Sequence, residues 1–173
     1  SYTANSFNLS SLMKAVTVAG LKKAGIVPTL KPTSLIDDFK GDWKKEWFTY
    51  KVEKWGIKTH KPYSSVWAPP KNGRLCFEVR AQMANKMTVG MDGHATEVSL
   101  PGKNEWKSVT LSANDFTDAE GKPLANWNGV KELRLDESEN LRPPRGSKAK
   151  PRRLGAQWKG KNPEFRNLRW VVE

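Results

Sequence analysis

Arg74-Leu75-Cys76-Phe77-Glu78-Val79-Arg80-Ala81 decides the fold. Leu75, Phe77 and Val79 recur at every second residue, with Cys76, Glu78 and Arg80 between them. A period of two is that of a β-strand. The pattern extends in both directions. Met87 to Met91 leads into Asp92-Gly93, a type I′ hairpin signal, and Ala95 to Leu100 returns from it. Trp106 to Leu111, Val130 to Leu135 and Phe165 to Val172 alternate likewise. In Trp47 to Val52, Phe48, Tyr50 and Val52 share one phase and Trp47, Thr49 and Lys51 the other. Between the runs stand Pro69-Pro70-Lys71-Asn72-Gly73, Pro101-Gly102-Lys103-Asn104 and Asn126 to Gly129, stretches built to turn. About eight or nine short strands without intervening helices predict an all-β domain, an antiparallel β-sandwich, over residues 34–173.

The segment before it reads differently. Leu9, Leu12, Met13, Val16 and Gly20 fall at helical spacing, Lys22 and Lys23 close the last turn, and Gly25 stops it. A short N-terminal helix is expected over about residues 8–24, with Pro28 and Pro32 marking a linker to residue 33. Residues 1–33 then form a helix and linker of their own, either packed on the sandwich or left from a preceding domain. The start at Ser1 and the lack of a signal-peptide pattern predict a piece of a longer protein.

Composition narrows the function. Of the 173 residues, 30 are Lys or Arg and 18 Asp or Glu, a net charge of +12, and 8 are Trp. No run approaches the roughly 20 apolar residues of a membrane span, so no membrane partner is expected. A single cysteine and 2 histidines exclude an intramolecular disulfide and any zinc site built on several of these residues. Every charged residue between 140 and 162 is Lys or Arg, and with Pro143, Pro144 and Pro151 the stretch predicts a surface loop pinned by Trp158.

Three phrases carry a resemblance. The domain opens on Leu35-Ile36-Asp37-Asp38-Phe39. It continues through Trp106-Lys107-Ser108-Val109-Thr110-Leu111-Ser112-Ala113-Asn114-Asp115-Phe116, and closes on Phe165-Arg166-Asn167-Leu168-Arg169-Trp170-Val171-Val172. Together they resemble the opening, middle strand and last strand of galactose-binding-like β-jelly-roll modules, which are appended to extracellular glycan-active enzymes. The resemblance implies a jelly roll, a polysaccharide ligand, an attached catalytic domain in the parent chain, and a secreted or periplasmic location. It also implies a structural calcium ion near the first strand, for which Asp37 and Asp38 supply hard oxygen ligands. The last strand carries Asn167 and Arg169 where those modules place an acid.

Side-chain chemistry points the same way. There is no G-x-S-x-G elbow and no H-E-x-x-H. His60 and His94 sit in loop and turn, and Cys76 is a mid-strand thiol without a His partner. Glu78 with Glu97, or Glu132 with Asp136, are acids on alternating strands, better explained by salt bridges than by glycosidase chemistry. The domain is therefore expected not to be an enzyme. Sugar rings stack their C–H faces on aromatic rings while polar groups take the hydroxyls. Trp47, Trp55, Tyr63, Trp67 and Trp106 are the candidate platforms, with Trp43, Trp127 and Trp170 assigned to core or corners. The charge favours an anionic polymer, so the ligand is expected to be an anionic or a plant or algal polysaccharide, bound by Arg80, Arg134 and Arg169 on one outward sheet face, with Lys51 beside them. The alternatives are a basic nucleic-acid-binding domain, which lacks any recognised signature and is the less expected partner, and a structural domain that docks on its own catalytic domain.

Overall fold

A computed structural model of the chain describes residues 33–49, 51 and 53–172. The helix expected over residues 8–24 and its linker lie outside the described residues. Two antiparallel sheets face each other. One holds four strands in the order β1 (Thr33–Asp37), β11 (Glu164–Val172), β4 (Gly73–Arg80), β7 (Trp106–Leu111). The other holds five, β2 (Phe48–Thr49), β3 (Ile57–Thr59), β8 (Leu133–Asp136), β5 (Asn85–Met91), β6 (His94–Leu100). The all-β sandwich expected from the alternation is the observed architecture.

The alternation also fixes the core. Leu75, Phe77 and Val79 of β4 are buried beside Leu168 and Trp170 of β11 and Val109 and Leu111 of β7. Met87, Val89 and Met91 of β5 and Leu133 and Leu135 of β8 complete the same apolar cluster from the second sheet. Phe116 and Trp127 close one end, and the Trp127 indole donates to the Gly73 carbonyl at 2.7 Å. Cys76 is buried on the other face of β4, its thiol 3.7 Å from the Thr110 hydroxyl. The hairpin forms at Asp92-Gly93, with Met91 opposite His94 and Asp92 at φ +50°.

Two features depart from simple alternation. In β11, Arg166 pairs with Glu78 and Arg169 with Cys76, so one extra residue is inserted between them. Asn167 takes up the bulge at φ +56°, a left-handed conformation that Asn tolerates. The bulge puts Arg166 and Arg169 on the same outer face, although they are three apart. The second departure lies in the basic stretch, which is not loop throughout. Ser138–Leu141 (β9) and Arg152–Gly155 (β10) pair as a separate hairpin. Its Leu141 and Leu154 pack with Ala95 on the outside of β6, so apolar residues too sparse to show a period still bury one face.

Gly155 sets the seat of this hairpin. Its φ is +79°, and a Cβ there would stand 2.1 Å from the Glu137 carbonyl oxygen. Gly155→Ala is therefore expected to destabilise the domain by about 1–3 kcal/mol through overpacking against backbone. Urea unfolding checks it, and an unchanged midpoint would contradict the close approach.

Candidate functional site

The outer face of the four-stranded sheet gathers part of the expected site. Arg80 and Trp106 are cross-strand partners, and Trp106 stands beneath two guanidinium groups, 4.8 Å from Arg80 and 4.0 Å from Arg166. Arg80 is also held by Glu164, at 2.9 Å. Glu78 takes Arg169 at 2.9 Å, Arg166 at 3.3 Å and the Asn167 amide at 2.8 Å. Partial burial pushes the Glu78 carboxyl up, but the bonds from Asn167 and Arg169, the Arg169 charge and the Arg166 bond outweigh it. Its pKa lies below the ordinary Glu value. Arg80, Arg169 and Trp106 thus share a face, yet both arginines are paired and the indole is already stacked by cations.

Arg134 is not on that face. It belongs to β8 in the other sheet, paired with Lys58 on one side and Gly90 on the other. Its guanidinium is buried, donating to Glu139 and to Glu132, both at 2.8 Å. Burial opposes its charge, but these two carboxylates prevail and raise its pKa. Glu132 is held low in turn: burial pushes it up, while Arg134, Lys58 and His60 together pull it further down. Gly90 makes room for the guanidinium, since a Cβ there would lie 2.5 Å from Nη2. The expected row of Arg80, Arg134 and Arg169 is corrected accordingly: outward phase on a strand does not say which sheet the strand joins. Lys51 stays near Arg134, with its ammonium 2.7 Å from the fully buried Asp136 carboxylate.

Trp47 and Trp55 were expected outside and are found inside, 6% and 8% exposed. The reason for Trp47 is local. Its indole N–H donates to Asp37 at 2.7 Å, and its ring packs against Phe39 and Trp43. Phe48 takes the outward position instead, at 56% exposure. Tyr63 is exposed, with the Lys131 ammonium 5.3 Å from its ring. Trp67 is half-buried, and its carbonyl accepts the Trp170 indole at 2.9 Å.

Asp37 has its own partners. One carboxylate oxygen accepts the Phe39 amide and the other the Trp47 indole. The buried ammonium of Lys61 stands 3.5 Å from that carboxylate, 2.9 Å from Glu46 and 2.7 Å from the Ile36 carbonyl, with the Trp67 ring 4.8 Å away. Positive charge at this corner is supplied by a side chain of the domain. Asp38 accepts the Lys40 amide at 2.9 Å. Among the described residues, no group of three His, Cys, Asp or Glu is placed to hold a metal ion.

These buried aromatics wall a cleft. It holds about 410 Å³ at one end of the sandwich, between Trp43, Trp47, Trp55 and Phe165, with Lys44, Lys54 and Asn162 at the rim. Trp158 backs Trp55 edge-on at 5.1 Å, which is how the basic segment is pinned. Trp43 is only partly buried and offers the most open ring. The Trp55 indole N–H is buried without an acceptor. Trp43, expected in the core or at a corner, is a partly buried wall of the cleft, and Lys54 is a rim residue that no sequence pattern singles out, since both lie in segments without periodicity. The one signal was the density of Trp between residues 43 and 55. Comparisons of the chain with protein-family models, curated proteins and solved structures found no match.

Proposed function

We propose that the domain is a non-catalytic carbohydrate-binding module that tethers an attached enzyme to a polysaccharide, and that the aromatic cleft receives the sugar. The cleft itself carries the reading. Its size falls within the roughly 300–1,000 Å³ of small-ligand sites, and its walls are aromatic with a few polar groups at the rim. Trp43 supplies a face for C–H stacking, and Lys44, Lys54 and Asn162 supply donors for hydroxyl oxygens. The resemblance of the three sequence phrases to jelly-roll modules supports the same reading, and tethering would raise the enzyme's local concentration on its substrate.

Trp43→Ala tests it. Removing the most open ring is expected to weaken polysaccharide binding about tenfold or more, the equivalent of about 1.4 kcal/mol, while the far-UV dichroism stays that of a β domain. Calorimetric titration measures it. Undiminished affinity in the folded variant would take the cleft out of the ligand site.

A further inference from the structure

Resting on that reading, we infer that the groove does not end at the aromatic cleft but continues into two basic hollows beside the β9–β10 hairpin, and that the polysaccharide it fits carries carboxylate or sulfate groups. Lys54 lines the aromatic cleft and also a hollow of about 240 Å³ walled by Glu137, Ser138, Arg153 and Gln157. Ser138 in turn lines both that hollow and a third, of about 270 Å³, formed by Lys51, Arg134, Glu139, Asn140 and Arg142. The aromatic cleft and the first basic hollow thus share Lys54 in their walls, and the two basic hollows share Ser138.

The charges in these hollows separate into those the fold uses and those it leaves. Lys54 is paired with Glu137, Lys51 with Asp136, and Arg134 with Glu132 and Glu139. Arg153 and Arg142 stand in no ion pair among the described residues. Each hollow thus keeps one guanidinium without a carboxylate, the group whose planar fork matches a carboxylate or sulfate oxygen pair. Both arginines stand on an anchored base. Arg152 bonds to the Thr117 hydroxyl and to the Asp118 carbonyl at 3.1 Å, and the Gly155 amide donates to Glu97 at 2.6 Å. Leu141 and Leu154 fix the hairpin's apolar side against Ala95. No aromatic residue lies between 139 and 157, so the hollows offer bases nothing to stack on. A sugar acid needs no such platform there.

The test uses the full chain, with Arg142→Ala/Arg153→Ala beside Trp43→Ala, titrated against polygalacturonate, dextran sulfate, neutral dextran and oligo(dT). The parent is expected to bind at least one charged polysaccharide more tightly than dextran. The double arginine variant should lose about tenfold or more per arginine on it, with an unchanged melting temperature. Which charged polymer binds tells carboxylate from sulfate. If the double variant keeps full affinity while Trp43→Ala loses it, the inference fails and the cleft reading stands. If Trp43→Ala keeps affinity while the double variant loses it, the basic hollows stand and the cleft reading fails. Tighter binding to oligo(dT) than to any polysaccharide, or binding to none of the polysaccharides, overturns both.

Discussion

Lys61→Met is expected to destabilise the domain by about 3–5 kcal/mol, the usual consequence of removing one partner from a buried ion pair. The Lys61 side chain is 7% exposed and meets Asp37, whose side chain is 5% exposed, together with Glu46. It also donates to the Ile36 carbonyl, which the shift of register between Leu35 and Asp37 leaves out of the β1–β11 ladder. Methionine fills a similar volume, so packing is nearly conserved while a buried carboxylate loses its counter-charge and a buried carbonyl loses its donor. Adding Asp37→Asn separates charge from shape. If the uncompensated carboxylate causes the loss, the double variant recovers part of it in urea unfolding. Additive losses would mean that Lys61 acts through its methylene stem instead.

Much of the fold was legible because it rests on period two. β4, β7 and the return strand β6 lie where Leu75, Phe77, Val79, Val109, Leu111, Val98 and Leu100 alternate with polar residues, and burial follows that phase. Legibility failed wherever one residue of register or one choice of sheet decided the outcome. The bulge at Asn167 turned Arg166 outward against the alternation; an Asn inside a strand, a residue that tolerates the left-handed conformation, was its one sequence sign. Trp47, expected outside, goes inside because its indole has a carboxylate to bond, Asp37, and Phe48 is left out. Arg134 looked like a surface ligand although Glu132 shares its phase two residues away; alternation does not report that Glu139, five residues on, also reaches the guanidinium and that the group is buried. The cleft itself comes from segments around residues 43–55 and 162–165, distant in sequence, and only tertiary packing brings them together.

Arg134→Met makes that last misreading measurable. A ligand-binding arginine on an open sheet would cost little stability when removed, since an exposed pair contributes about 0–1 kcal/mol. Arg80, 34% exposed against a Glu164 that is 60% exposed, belongs to this kind, and Arg80→Ala serves as the comparison. Arg134 is 11% exposed and its partner Glu139 9%, so a loss of about 3–5 kcal/mol is expected at neutral pH. The pH dependence carries the cause. In the parent, Glu132 has a folded pKa below its ordinary value of 4.5, so its contribution is full above that value and lost as pH falls through the lowered one. In the variant the guanidinium no longer opposes burial, the folded pKa rises, and protonation relieves the strain. The two stability curves should therefore converge as the pH is lowered from 7 toward 4. A deficit that stays constant across this range would assign the loss to packing around Gly90, and a deficit below that of Arg80→Ala would return Arg134 to the open surface.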